Sequence, residues 1–231
     1  QAIECTANTN QFGIQASGLG GARILRCTAA NNFQRGIWMG ASNGTVSGNT
    51  VIVGPGGVGL FVEGSGGLVE ANTVRSFSPA SQVGLQVTGS GNTVRGNLVA
   101  GTPDNYDFAV GNRLELLITQ VPESIDWPAS VHLVGDLSGP GGIVINADGV
   151  TIDLAGHALF GAGAGPGGIH SNGPRRGVVV RNGGVRSWAG PGINLSSCVA
   201  PRIEGGDASA NSPTGIHVNG GLVSGCTGGR C

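Results

Sequence analysis

"RGIWMGASNGTVSGNTVIVGPGGVGLFVEGSGGLVEANTV", residues 35–74, holds the same short phrase twice. A Gly-aliphatic pair opens each copy, as "GIWMG" at Gly36 and "GLFVE" at Gly59, and a second apolar run follows, as "GTVSGNT" and "GLVEANT". Outward from this stretch the pair recurs as "GIQAS" at Gly13 and "GLQVT" at Gly84, then as "GIHSN" at Gly168, "GINLS" at Gly192 and "GIHVN" at Gly215. The step is about 23–25 residues, a period that marks a repeat architecture. Within each run apolar and polar positions alternate (Ile37 in, Trp38 out, Met39 in), the signature of short strands with one buried face.

A unit of this size with two or three four-residue strands cannot bury its apolar face alone. It can do so by stacking, each strand pairing in parallel with its counterpart in the next coil. The spacing therefore predicts an all-β, right-handed, three-sided parallel β-helix with coils of about 22–25 residues. Leucine-rich repeats would need a helix on the convex side and Leu at fixed offsets. Calcium-binding nonapeptide rolls would need Gly-Gly-x-Gly-x-Asp, which does not occur. Gly and Asn suit the corners because tight turns favour residues that tolerate positive φ. Asn49, Asn72 and Asn97 fall at one corner of successive coils, and Cys27 and Cys5 occupy the same corner one and two coils earlier. The five form a predicted structural ladder, with hydrogen-bonded Asn side chains along the axis.

Composition narrows the function. The chain has 231 residues and a formal net charge of −1, with 11% charged residues and no Lys. No basic run or patch offers a nucleic-acid surface. No apolar run approaches the length of a membrane span, and no signal-like segment opens the chain. A secreted, extracellular location is the expectation.

The repeats resemble those of secreted bacterial right-handed β-helix proteins of the pectate-lyase-like superfamily. In that resemblance Ile118–Leu159 looks like an amino-terminal cap with the first coils, and Gly91–Arg113 looks like a carboxy-terminal end. The chain then reads as circularly permuted: 1–112 as the family's later coils, 113–135 as a cap or hinge, and 136–231 as its earlier coils. The Gly-free stretch from Asn112 to Val134 sits at that junction. The resemblance also implies two catalytic kits. A lyase would use calcium held by carboxylates with an Arg or Lys base, and a hydrolase would use paired Asp residues. The hydrolase signatures Asn-Thr-Asp, Asp-Asp and Gly-His-Gly are missing, and without Lys only Arg could be the lyase base.

Among charged residues, Asp153, Arg181 and Glu204 each follow an aliphatic residue and should align on consecutive coils. They are the candidate catalytic set, against the reading of an exposed ion-pair ladder that Glu70 and Arg95 would repeat elsewhere. His170, Asn194 and His217 share one outward position, with the histidines two coils apart, about 10 Å, too far for easy joint metal ligation. No metal site is expected. In the other half the outward position continues as Gln15, Trp38, Phe61 and Gln86. Two exposed aromatics flanked by amides suit a sugar ring or a protein surface, unless something folds over them. Cys5 with Cys27, and Cys226 with Cys231, are possible disulfide partners, with pairing open.

Two functional readings follow. The first is a non-catalytic secreted scaffold that presents a carbohydrate- or protein-binding face, needs no cofactor, and self-associates. About nine coils span on the order of 43 Å at ~4.8 Å per coil. About eight residues between Val110 and Ile118 reach only some 27 Å extended. Gln1 and Cys231 would then mark open coil faces, covered by a second chain as an exchanged dimer or head-to-tail filament. The alternative is a polysaccharide lyase or glycoside hydrolase acting on an extracellular polysaccharide, with calcium needed only for the lyase.

Overall fold

The computed structural model describes residues 1–18, 20–78, 80, 83–162 and 167–228. Every regular element among them is a β-strand, and every pairing is parallel to the strand one coil away. Two compact units divide the chain, Gln1–Leu116 and Leu117–Cys231. Each is a parallel β-solenoid.

In the first unit each coil places three strands on three sides. The first side runs through Ala2–Ile3, Arg23–Leu25, Thr45–Ser47, Leu68–Glu70 and the start of Thr93–Ala100. The second side runs through Thr6–Asn8, Thr28–Asn32, Thr50–Val53, Thr73–Ser76 and the end of Thr93–Ala100. The third is a five-stranded sheet of Phe12–Ala16, Arg35–Met39, Val58–Val62, Val83–Val87 and Asp104–Phe108. Alternation turns one aliphatic per strand inward, so columns of stacked side chains form the core. Ile24, Val46 and Val69 fill one column and Ile37, Leu60 and Leu85 another, all essentially inaccessible. Each such side chain contributes roughly 1.5–3 kcal/mol by leaving water.

Between first and second sides the chain turns on one left-handed residue per coil. Glu4, Arg26, Gly48, Ala71 and Gly96 have φ of 53°, 51°, 65°, 52° and 59°. The Gly of the repeated phrase has another cause. Gly13, Gly36, Gly59 and Gly84 are not left-handed; a Cβ on Gly36 would lie 2.6 Å from the Gly59 carbonyl oxygen and 2.5 Å from Val51 Cγ1. Close approach of successive coils, not turn geometry, selects Gly there.

The second unit repeats the plan. Its third side is the sheet of Glu123–Ile125, Ile143–Ile145, Ile169–Ser171, Ile193–Leu195 and Ile216–Val218. Its first side contains Ala129–Leu133, Thr151–Asp153 and the starts of Val179–Arg186 and Arg202–Asp207, and its second side contains Leu137–Gly139, Ala158–Gly161 and the ends of those two long strands. Coils are less uniform than 22–25 residues: Asn146 meets Asp126 at a step of 20, whereas Arg181 meets Asp153 at a step of 28. The register of the strands is kept while the connections absorb the difference.

The Gly-free stretch contains regular strands. Arg113–Ile118 is a strand whose Arg113, Leu114 and Leu116 pair with Thr93, Val94 and Asn97. Leu114, Leu116 and Ile118 point inward and are buried. Further on, Glu123–Ile125 pairs with Ile143–Ile145, and Ser130–His132 pairs with Thr151–Asp153. Period-two alternation is enough to stack a strand without Gly.

Candidate functional site

On the third side of the first unit, Gln15, Trp38, Phe61 and Gln86 stand in register on successive strands, and Asp107 extends the row. They do not form the open aromatic platform expected from sequence. Phe61 is only 6% exposed. The Arg35 guanidinium lies 3.9 Å from its ring centroid and 4.7 Å from that of Trp38. A planar, weakly hydrated cation is well suited to lie over two aromatic faces. Trp38 is held further: its Nε1 donates to Glu63 Oε2 at 2.6 Å, and Phe12 sits 6.2 Å away, ring to ring. Gln86 Nε2 donates to Asp107 Oδ2 at 2.7 Å. The row is a closed cation–π and hydrogen-bonded stack. Arg35 and Glu63 are the residues the sequence reading missed.

Asp153, Arg181 and Glu204 are aligned on consecutive strands, yet they do not act as one constellation. Arg181 Nε donates to Asp153 Oδ2 at 2.9 Å, while Glu204 is taken by Arg202 of its own strand. Burial pushes the Asp153 pKa up, but the Ala155 N–H, the Asn182 amide and the Arg181 guanidinium outweigh it and hold the carboxyl below 3.8. A carboxylate so committed is a weak proton donor and a weak base. Glu70–Arg95 at 2.7 Å and Glu4–Arg26 at 2.9 Å repeat the same cross-coil pairing.

The His170, Asn194 and His217 positions also stack in register, with Val144 beneath. Burial lowers the His170 pKa below 6.5, so its imidazole favours the neutral form. Among the described residues no group of three or more His, Cys, Asp or Glu side chains comes together as metal ligands would.

The corner ladder is continuous. Asn49 Nδ2 donates to Asn72 Oδ1 at 2.8 Å, and Asn72 Nδ2 donates to Asn97 Oδ1 at 2.9 Å. The Cys27 N–H donates to Asn49 Oδ1 at 2.8 Å, and the Cys5 N–H to Cys27 Sγ at 3.3 Å. A second, shorter ladder links Asn92 Nδ2 to Asn112 Oδ1 at 3.1 Å, found from structure and not from sequence. Cys231 lies outside the described residues.

The second unit carries a concavity that sequence spacing did not indicate. It encloses about 420 Å³ and is lined by Asp136, His157, Phe160, Arg186 and Asp207 over a floor that includes Gly183 and Gly184. Ala158, Gly184, Asp207 and Thr227 are register partners on successive coils, so two small residues form a trough before Asp207. Asp136 Oδ1 accepts the Ala158 N–H at 2.9 Å and lies 3.7 Å from His157 Nδ1. Asp207 is raised by burial, but Ser209 and the bound Arg186 hold it below 3.8. The groove offers hydrogen-bonding groups and one aromatic face.

Both depressed carboxyls have a pH consequence. Asp153 and Asp207 favour the ionised form when folded, so their stabilisation is present above the unfolded value of 3.8 and is lost as pH falls through the lower folded values. As half-exposed pairs they should contribute roughly 1 kcal/mol each or less. The Asp153→Asn, Asp207→Asn double variant should therefore lose less melting temperature than the parent between about pH 5 and about pH 2.5. Equal acid slopes would show that neither pair matters.

Fold and site together define a parallel β-helix in which several polar residues pair across coils. Residues 1–100 match the family model of the right-handed β-helix region. No curated protein matches the chain. No solved structure matches it either.

Proposed function

We propose that the protein is a non-catalytic, secreted β-helix scaffold that associates with further copies by adding coil to coil. The observation that carries this is the stacking itself: coil is added to coil by parallel strand pairing, as Phe12–Ala16 is on Arg35–Met39. Ile3 and Phe12 of that coil are exposed. In the second unit Leu222, in the strand after Ile216–Val218, is exposed as well. Parallel pairing of this kind can be continued by strands of a second chain. Head-to-tail contact gives a filament and exchange between two chains gives a dimer. The commitment of Asp153, Arg181 and Glu204 to ion pairs supports the non-catalytic part. We also read the order of the halves as permuted relative to pectate-lyase-like helices, and the groove around Phe160 as the face offered to a polysaccharide or a partner protein. Light scattering on the purified chain at micromolar concentration should report a dimer or larger species. A monodisperse monomer would sink the proposal.

A further inference from the structure

We infer that Cys5 and Cys27 are a cross-linking site, closed by thiol–disulfide exchange into a staple that fastens the first coil to the second. Cys5 is exposed while Cys27 is buried, so packing of small apolar side chains does not account for the pair. Their backbones are clamped together on both sides. The Glu4 N–H donates to Leu25 O at 3.0 Å, and the Thr28 N–H to Cys5 O at 2.8 Å. Between these bonds the Cys5 N–H reaches Cys27 Sγ at 3.3 Å. Stacked positions one coil apart lie about 4.8 Å from each other, inside the Cα separation of about 4.4–6.8 Å that a disulfide requires. Each thiol now donates to the carbonyl two residues before it, Cys5 to Ile3 and Cys27 to Leu25. On its other side Cys27 faces Asn49, which leaves Cys5 as its stacked thiol partner. Cys226 takes the corresponding corner in the second unit, beside Gly206, with no stacked thiol partner among the described residues.

The oxidant is a small-molecule disulfide. The exposed Cys5 thiolate attacks one of its sulfurs, the S–S bond breaks, and one small thiolate leaves. Cys27, as thiolate, then attacks Cys5 Sγ and expels the second. Two protein thiols become one disulfide, and the oxidant leaves as two thiols carrying both protons. This inference does not depend on self-association.

Treatment of the reduced 231-residue chain with oxidised glutathione tests it. Peptide mapping without reduction should show the loss of two hydrogens shared between the peptides holding Cys5 and Cys27, with no glutathione retained on either. Amide exchange over residues 2–16 should slow by roughly a hundredfold, as the link closes a loop between the two stacked coils. Cys27→Ser should keep glutathione on Cys5, and Cys5→Ser should leave Cys27 unmodified. Glutathione retained on Cys5 of the unaltered chain, or Cys5 linked to any other cysteine, would overturn the assignment.

Discussion

Asn72→Ala should lower the unfolding free energy by about 3–5 kcal/mol, more than the loss of a surface ion pair in this chain. Asn72 is 1% exposed and sits in the middle of the corner ladder. Its Oδ1 accepts the Asn49 N–H at 3.0 Å and Asn49 Nδ2 at 2.8 Å. Its Nδ2 donates to Asn97 Oδ1 at 2.9 Å and to the Val46 carbonyl at 2.9 Å. Truncation strands the Asn49 N–H and the Val46 carbonyl where water is excluded, and each unmade bond costs about 1–3 kcal/mol. Asn72→Asp separates hydrogen bonding from volume. A buried carboxylate there faces Asn97 Oδ1, an acceptor, so its folded pKa should rise. That variant is weak at neutral pH and should regain stability as pH falls through the raised value, when the acid O–H can donate. Urea unfolding at two pH values checks both. A loss for Asn72→Ala near that of an exposed residue would show that the ladder is ornamental.

This ladder was legible in the sequence because it recurs once per coil: Asn49, Asn72 and Asn97 each precede an alternating apolar run, and register puts them one above another. The strands were legible for the same reason. What escaped lies off the repeat. Arg35 closes over Phe61 from the start of the neighbouring strand, a diagonal contact that no same-position comparison reveals. The groove escaped because Gly183 and Gly184 carry no side-chain chemistry, and because Asp136 and Asp207 belong to distant coils. Gly does not mark every strand. In Arg113–Ile118 the marker is the inward column of Leu114, Leu116 and Ile118.

The candidate site divides along the same line. Asp153 and Arg181 were correctly placed side by side, since both follow inward aliphatics on adjacent coils. Their chemistry was decided by groups the pattern could not show: the Ala155 N–H and the Asn182 amide, which hold the carboxylate ionised, and Arg202, which removes Glu204 from the set. Solenoids distribute polar residues by coil, so alignment comes cheaply. Function depends on which aligned groups are left uncommitted, and the partners that commit them come from neighbouring positions.

Gly59→Ala should cost about 3 kcal/mol, at the upper end for overpacking a tight core, although it adds a single methyl group. The added Cβ would lie 2.5 Å from Val74 Cγ1, 2.6 Å from the Gly84 carbonyl oxygen and 2.9 Å from Val53 Cγ2. Val74 and Val53 are buried in the core column of the second side, and the Gly84 carbonyl belongs to the next coil. Relief therefore means prising coils apart against the parallel ladder on both sides of Val58–Val62. Gly56→Ala is the comparison. Gly56 has φ of 73° with nothing within 4 Å of a Cβ, so only left-handed strain opposes the substitution, about 1–2 kcal/mol. Chemical denaturation of the two variants distinguishes steric contact from backbone conformation as the reason for Gly at the repeated phrase. If Gly59→Ala proved no worse than Gly56→Ala, close approach would be the wrong explanation. If the order holds, the same reasoning extends to Gly13, Gly36 and Gly84, whose Cβ atoms would also meet backbone of the next coil at under 3 Å. The last strand of that row has Asn105 at the corresponding position, paired to the Gly84 strand through Asp104 and Tyr106.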